Sequence, residues 1–149
     1  MTPDSNGILY LEETDPITPF QTTINALQAA TSGVIEPLLY NSDDIVLPKL
    51  AGLGGADVVI HRVGHVVDLF TTGNVSGTFP PGLTDVIAAG GVPVGLRPAL
   101  ANRHGSAYFS ASHSGGVVLR PDGSVSVTHQ SGASRTSVQF SLTFVLSPS

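Results

Sequence analysis

The sequence predicts a mainly β protein, in which an N-terminal extended arm and a short coiled-coil-like helix precede an antiparallel β-sandwich head domain. Three observations predict this class. Eight of the eleven acidic residues and the single lysine lie in residues 1–57. Beyond that point Val, Thr, Ser and Gly dominate, and these residues favour strands and turns. Finally, apolar and polar residues alternate along residues 136–146, as they do in a half-buried strand.

The composition excludes several classes of function. The chain of 149 residues has no cysteine, which rules out a disulfide scaffold, a thiolate metal site and a cysteine nucleophile. A net charge of −5 with only six basic residues argues against nucleic-acid binding, which depends on Lys and Arg neutralising phosphates. No apolar run approaches the roughly 20 residues that span a bilayer. The N-terminal residues also lack a secretory signal pattern, so we expect neither a leader nor membrane insertion.

The N-terminal part is predicted to be an arm followed by a helix. Residues 1–17 contain proline and glycine among scattered apolar residues, which favours an extended attachment arm. A helix is predicted over residues 18–33. Thr18 is suited to the N-cap and Pro19 to the first helical position, where its missing N–H costs nothing. Gly33 ends the helix.

One face of this helix is an apolar stripe with spacings of three, four and seven residues. The stripe consists of Phe20, Ile24, Leu27 and Val34. A helix of this length is marginal alone in water, so the stripe must pack on another surface. Two packings are open: against the β domain of the same chain, or in a short parallel bundle with copies of itself. We predict the bundle, a homotrimer, joined to the head domain by a linker over residues 34–56.

The head domain is predicted over residues 57–149, from strands separated by turn sequences. Gly64-His65 suits a two-residue hairpin turn. In Pro121-Asp122-Gly123 the proline presets φ, the aspartate caps its own backbone and the glycine accepts a positive φ. Residues 74–91 are expected to be a long loop with a short strand or helical turn at 83–89. The predicted strands are residues 57–63, 66–72, 106–112, 117–120, 124–129 and 136–146.

Successive side chains of a strand point to opposite faces of the sheet, so the sequence predicts which residues face the core. In the last strand we expect four large apolar residues to face the core: Val138, Phe140, Leu142 and Phe144. In the first hairpin four apolar residues are expected to share a face: Val59, Val63, Val67 and Leu69. Tyr108 is expected to face opposite Phe109. Tyr108, Phe109 and Phe79 could form a platform for stacking a sugar, although we expect at least two of them to pack in the core.

The sequence gives only weak indications of a catalytic or metal site. His61 and His65 are four residues apart but lie on a predicted strand and turn, and the head domain has no glutamate to complete a cupin-like metal site. No Gly-x-Ser-x-Gly motif places a nucleophile, and few carboxylates are available for paired-acid glycoside hydrolysis. We therefore predict no catalytic residue, no metal and no cofactor, and a protein that is not an enzyme.

Five pieces of the head domain follow one another in a characteristic order and spacing. They are residues 60–64, 66–69 continuing to Gly73, 92–98, 118–125 and 138–142. Together they form a hairpin, an apolar-Pro-x-Gly-x-Arg-Pro stretch, a second hairpin around Pro-Asp-Gly and a closing alternating strand. This pattern resembles the C-terminal β domain of minor tail proteins, the tail-tip or tail-fibre modules of siphophages that infect actinobacteria and related hosts.

The resemblance implies a virion protein of the phage tail, made in the host cytoplasm. It implies a homotrimer whose arms dock on other tail proteins and whose β domains attach to a host-surface glycan or protein. For the receptor contact we predict loop residues Phe79, Asn102, Arg103 and His104. Two alternatives remain open: a capsid decoration or head-fibre protein with the same organisation, and an enzyme, either a cupin-like metal enzyme or a polysaccharide depolymerase.

Overall fold

The computed structural model describes residues 2–3, 9–10 and 42–146. The chain divides into two compact units, Met1–Leu39 and Tyr40–Ser149. In the first unit, β1 (Thr2–Pro3) pairs antiparallel with β2 (Leu9–Tyr10).

The predicted helix over residues 18–33 lies outside the described residues. The same holds for its apolar stripe, which consists of Phe20, Ile24, Leu27 and Val34. Both therefore stay predictions, as does the trimer that depends on them.

The second unit is built from ten antiparallel strands. Its described part also contains one short 3₁₀ turn, Val94–Leu96, and no helix of the length and hydrophobicity that crossing a bilayer requires. The strands are β3 (Ile45–Leu47), β4 (Gly54–Gly55), β5 (Val58–Val63), β6 (Val66–Thr71), β7 (Val75–Phe79), β8 (Gly82–Ile87), β9 (Arg103–Phe109), β10 (His113–Leu119), β11 (Val125–His129) and β12 (Arg135–Val145).

All ten strands belong to one hydrogen-bonded sheet in the order β3-β5-β6-β12-β9-β10-β11-β8, with β7 beside β12 and β4 beside β7. The 11-residue strand β12 joins the two halves, because it pairs with β6 and β7 along one edge and with β9 along the other. The predicted class of mainly antiparallel β structure is confirmed. The described strands form one continuous sheet, whereas a β-sandwich was predicted.

A single apolar core lies inside this sheet. Residues from its opposite ends, such as Leu47 on β3 and Val86 on β8, belong to the same buried cluster, so the sheet closes over itself. On β12 the four predicted core residues are all buried: Val138, Phe140, Leu142 and Phe144. At the centre, the rings of Phe79 and Phe109 meet edge to face with centroids 6.0 Å apart. The ring of His129 lies 4.6 Å from that of Phe109, and its Nε2 is 2.8 Å from the Phe79 carbonyl oxygen.

The β5–β6 hairpin forms at the predicted turn, where Gly64 has φ +61°. The register pairs Val63 with Val66 and Ile60 with Leu69. Since directly opposed residues of antiparallel strands share a face, Val59 and Val63 lie on the face opposite to Val67 and Leu69. The predicted shared face of these four residues is therefore wrong, because the two-residue turn sets the register.

The predicted loop over residues 74–91 is mostly strand. It contains β7 and β8, which are separated by Pro80-Pro81, and its apolar residues Val75 and Phe79 are fully buried. Both strands are short, and Gly77 interrupts the alternation of apolar and polar residues in β7, so the sequence did not indicate a strand there.

The predicted turn between β10 and β11 is confirmed. The Asp122 carboxylate accepts hydrogen bonds from the Ser124 hydroxyl at 2.7 Å and from the Ser124 amide at 2.9 Å.

Candidate functional site

The outer face of β6, β12, β9 and β10 carries a shallow depression of about 500 Å³. The strand register places three of its lining residues in one row: Phe70 lies opposite Ser141, and Ser141 lies opposite Ser106. All three residues share one face, because they are directly opposed in antiparallel strands. The two serines are small, so the sheet surface beside the Phe70 ring is left open.

The next row of residues forms one wall of the depression. Gln139 lies opposite Tyr108, and Tyr108 lies opposite Ser114. The Tyr108 side chain is 53% exposed, so a ligand can reach its ring. The Gln139 amide donates a hydrogen bond from Nε2 to the Asn74 Oδ1 at 2.9 Å, which fixes the direction of the carboxamide. The depression thus presents an aromatic ring beside an oriented amide.

The depression lies away from the point where the chain enters and leaves the head domain. Ser42 donates its backbone N–H to the Arg62 carbonyl oxygen, and Leu146 donates to that of His65. Arg62 and His65 flank the same hairpin turn, so both ends of the described domain emerge together. Gln139 precedes Leu146 by seven residues on a continuous strand, a distance of about 23 Å.

The depression is uncharged. All ten residues that line it are neutral, and they offer hydroxyl groups, one carboxamide and the rings of Phe70 and Tyr108. Aromatic rings pack against the apolar face of a sugar ring, while hydroxyls and amides exchange hydrogen bonds with its hydroxyl groups. Charged ligands find no countercharge in this lining. The arrangement therefore suits a neutral polyhydroxylated ligand.

A small charged cluster supports the floor from the side. His61 on β5 has Nδ1 at 3.2 Å from the Asp44 Oδ1 and Nε2 at 3.5 Å from the Asp68 Oδ2. The Thr143 hydroxyl donates to the Asp68 carboxylate. The His61 ring meets the Phe70 ring edge to face at 5.8 Å between centroids, so the cluster holds Phe70 in place. In the part of the chain that the structure describes, no group of three His, Asp or Glu side chains is placed to hold a metal ion.

The predicted receptor-contact residues do not line this depression. Phe79 is fully buried at the end of β7, so the prediction that it contacts a receptor is wrong: its ring fills the core. Asn102 and His104 are exposed at the start of β9, and Arg103 is half-buried with its guanidinium carbon 6.0 Å from the Phe144 ring centroid. These three residues lie nearer to the end where the chain enters.

Of the three aromatic residues considered as a stacking platform, Phe79 and Phe109 are in the core and Tyr108 is exposed, as expected. Phe70 and Gln139 were not predicted as site residues. The polar face of β12 could have pointed to Gln139. The position of Phe70 in the depression depends on the pairing of β6 with β12, and the sequence does not reveal this pairing.

No family model matches the chain, and no curated protein matches its sequence. The fold is similar to that of a solved structure, the head domain of lactococcal phage bIL170, described in a study of the receptor-binding domains of lactococcal phages. The TM-score is 0.56 and the identity 16%, and the match covers 70% of this chain and 98% of the phage domain.

Proposed function

We propose that this protein is a virion component of a phage tail tip or tail fibre, which attaches the particle to the host surface through its β domain. The observation that carries the proposal is the fold: the head domain of phage bIL170 matches over 98% of its length. The order of sequence motifs along residues 60–142 supports the narrower assignment to the minor tail proteins of siphophages. The protein is then made in the host cytoplasm and incorporated into the tail.

The proposed ligand is a neutral glycan of the host envelope, bound in the depression beside Tyr108. A sugar stacked on this ring and on Phe70 would exchange hydrogen bonds with Gln139, Ser106 and Ser141. Net hydrogen bonds contribute about 0.5–1.5 kcal/mol each, and the site is open to solvent. We therefore expect a single site to bind in the millimolar range, about −4 kcal/mol.

Trimerisation converts this weak binding into attachment. The proposed trimer forms through the stripe of Phe20, Ile24, Leu27 and Val34, while the arm over residues 1–17 docks on other tail proteins. Three linked sites bind a polymeric glycan with an avidity that exceeds a single affinity by roughly 10²–10⁴. Reversible single contacts combined with strong total binding suit a particle that searches a cell surface.

Attachment without cleavage is the proposed mode of action. Sugar hydrolysis needs two carboxyl groups on either side of the scissile bond, and the lining of the depression contains none. The Asp68 carboxylate, two residues before Phe70 on β6, is already engaged by the Thr143 hydroxyl and lies beside His61. These groups serve to hold Phe70.

Competition for phage adsorption tests this proposal. Host cells are incubated with the purified full chain before phage is added, and unadsorbed phage is counted. We expect the protein to lower adsorption in a dose-dependent way. Soluble wall polysaccharide, mixed with the labelled protein before phage is added, should prevent the protein from binding to the cells without becoming shorter. Unchanged adsorption at saturating protein would overturn the attachment role. Immunogold labelling on the capsid in place of the tail would favour a decoration protein.

A further inference from the structure

His61 and His129 have opposite kinds of partner at their ring nitrogens. The buried His129 ring has its Nε2 facing the Phe79 carbonyl oxygen, while its Nδ1 accepts the N–H of Ser131 at 3.3 Å. One nitrogen carries the proton and the other a lone pair, as in a neutral imidazole. Both nitrogens of His61 face carboxylate oxygens. Since a carboxylate only accepts hydrogen bonds, these partners suit an imidazolium, which donates from both nitrogens.

The two carboxylates approach His61 from the segments on either side of β5. Asp68 lies opposite His61 on β6, and Asp44 immediately precedes β3, which pairs with the other edge of β5. Arg62 lies on the other face of the sheet, because successive side chains of a strand alternate, and it donates its Nε–H to the Gly64 carbonyl oxygen. Among the described residues, the charged groups in contact with His61 are therefore both negative. The His61 side chain is 25% exposed, so its ring exchanges protons with water.

The same ring supports Phe70 beside the depression. Phe70 is one of the lining residues, and its ring meets the His61 ring edge to face at 5.8 Å between centroids. The Asp68 carboxylate is held from β12 by the Thr143 hydroxyl, which fixes its direction where it meets His61. The orientation of the His61 ring therefore sets the surface against which Phe70 rests.

We propose that His61 is a positioning residue of the ligand site: its protonated ring, held between Asp44 and Asp68, fixes Phe70 beside the depression. This role rests on the proposed function and makes ligand binding depend on pH. A neutral His61 turns one lone pair toward a carboxylate oxygen, which repels it. Its Nδ1 atom is buried and makes no hydrogen bond with any described residue, so no donor is placed to satisfy a lone pair there. Loss of the proton to water therefore frees the ring to turn, and Phe70 loses its support.

The expected effect on binding is graded. Histidine is the side chain whose charge ordinarily changes between about pH 5 and pH 8. The side chains of Asp44 and Asp68 are 68% and 38% exposed, so water screens both ion pairs. We therefore expect ligand binding to be about threefold tighter with His61 protonated than with it neutral, as for one exposed ion pair.

An NMR titration of the full chain tests the positioning role. The signals of the His61 imidazole and the Phe70 ring are followed from about pH 8 to about pH 5.5. In the wild type we expect the Phe70 signals to shift with the same midpoint as the His61 nitrogens. In His61→Gln, which keeps a polar side chain that does not titrate, they should stay constant. Phe70 signals that stay constant in the wild type, or that titrate equally in His61→Gln, would overturn the proposal.

Binding of the labelled full chain to host cells at the same two pH values tests the consequence. We expect the wild type to bind about threefold more tightly at the lower pH, and His61→Gln to bind equally at both. Asp44→Asn, at an exposed position, removes one of the two carboxylates and should also lose the difference. His65→Gln is the matched control and should keep it, because His65 lies in the turn of the same hairpin, beyond the pair of Val63 and Val66.

The cell surface also changes with pH, but that change is common to all four proteins, so their differences isolate His61. A wild type that binds cells equally well at both pH values, or a His61→Gln variant that keeps the threefold difference, would contradict the proposal. Phe70 signals that follow His61 in a protein that binds no cells at either pH would support the positioning role and reject the proposed attachment function.

Discussion

Tyr108 and Phe109 are consecutive on β9 but serve opposite sides of the sheet. The Tyr108 side chain is 53% exposed beside the depression, whereas Phe109 is 1% exposed and lies among Phe79 and His129 in the core. One strand thus supplies both the ring that we expect to contact a ligand and the ring that holds the fold. This arrangement allows binding and stability to be changed separately at neighbouring positions.

Phe109→Ala should destabilise the protein strongly. Removing a fully buried phenylalanine leaves a cavity and costs about 3–5 kcal/mol. Tyr108→Ala removes a half-exposed ring and should cost about 1 kcal/mol or less. Chemical denaturation of both variants, followed by circular dichroism, gives the two free energies of unfolding. Equal losses in the two variants would contradict the assignment of these rings to opposite faces.

Gly123→Ala should cost more stability than Gly132→Ala. Both glycines have a positive φ, +84° and +74°, which is unfavourable for an alanine by about 1–2 kcal/mol. At Gly123 an added Cβ would also come within 2.6 Å of the Arg97 Nε, whereas at Gly132 it would meet nothing within 4 Å. Arg97 donates this Nε–H to the Val92 carbonyl oxygen, so the clash would disturb the loop before β9.

Thermal unfolding of the two glycine variants provides the comparison. We expect the melting temperature of Gly123→Ala to lie below that of Gly132→Ala. The reverse order would show that the Arg97 contact does not hold the turn.

The stability of the protein should fall in acid partly through Asp122. Hydrogen bonds from the Ser124 side chain and then from its backbone lower the pKa of the Asp122 carboxyl below its ordinary 3.8. A group with a lowered folded-state pKa stabilises the protein above its unfolded value and loses that contribution as the pH falls through the folded value. The contribution is therefore present at pH 5 and is lost below about pH 3.8.

Asp122→Asn is the matched variant, because an asparagine retains the turn geometry without titrating. We expect the melting temperature of the wild type to decline more steeply between pH 5 and pH 2.5 than that of Asp122→Asn. Parallel declines would show that these hydrogen bonds add no pH dependence.

Ile24→Asp combined with Leu27→Asp should weaken or abolish the trimer, because each charge would replace an apolar residue of the stripe. The wild type should have a mass near three times 15.3 kDa by light scattering. Gln21→Asp and Gln28→Asp, on the polar face of the same predicted helix, provide the control and should leave the mass unchanged. A wild-type monomer at micromolar concentration would reject the trimer.

The sequence was most informative where local rules determine the structure. The alternation of β12 and the glycine turns at Gly64 and Gly123 predicted strands, turns and the buried residues of the last strand, because period and positive φ are local properties. The pairing of β6, β12 and β9 joins segments separated by about 30 to 80 residues in the sequence. That pairing brings Phe70, Gln139 and Tyr108 together, so the depression could not be predicted. Phe79 was misassigned because its strand is short and Gly77 stands at the middle position, so the sequence shows no row of apolar residues typical of a strand.

Binding of labelled full-length protein to host cells, with variants of Tyr108, tests the central claim most directly. We expect wild type and Tyr108→Phe to bind similarly, because the exposed ring provides the stacking surface. Tyr108→Ala should lower the binding at least tenfold, since a loss at each of several linked sites is multiplied by avidity. Val46→Ala, on the same face outside the depression, should bind as wild type. Undiminished binding by Tyr108→Ala, with the trimer and fold intact, would contradict the account.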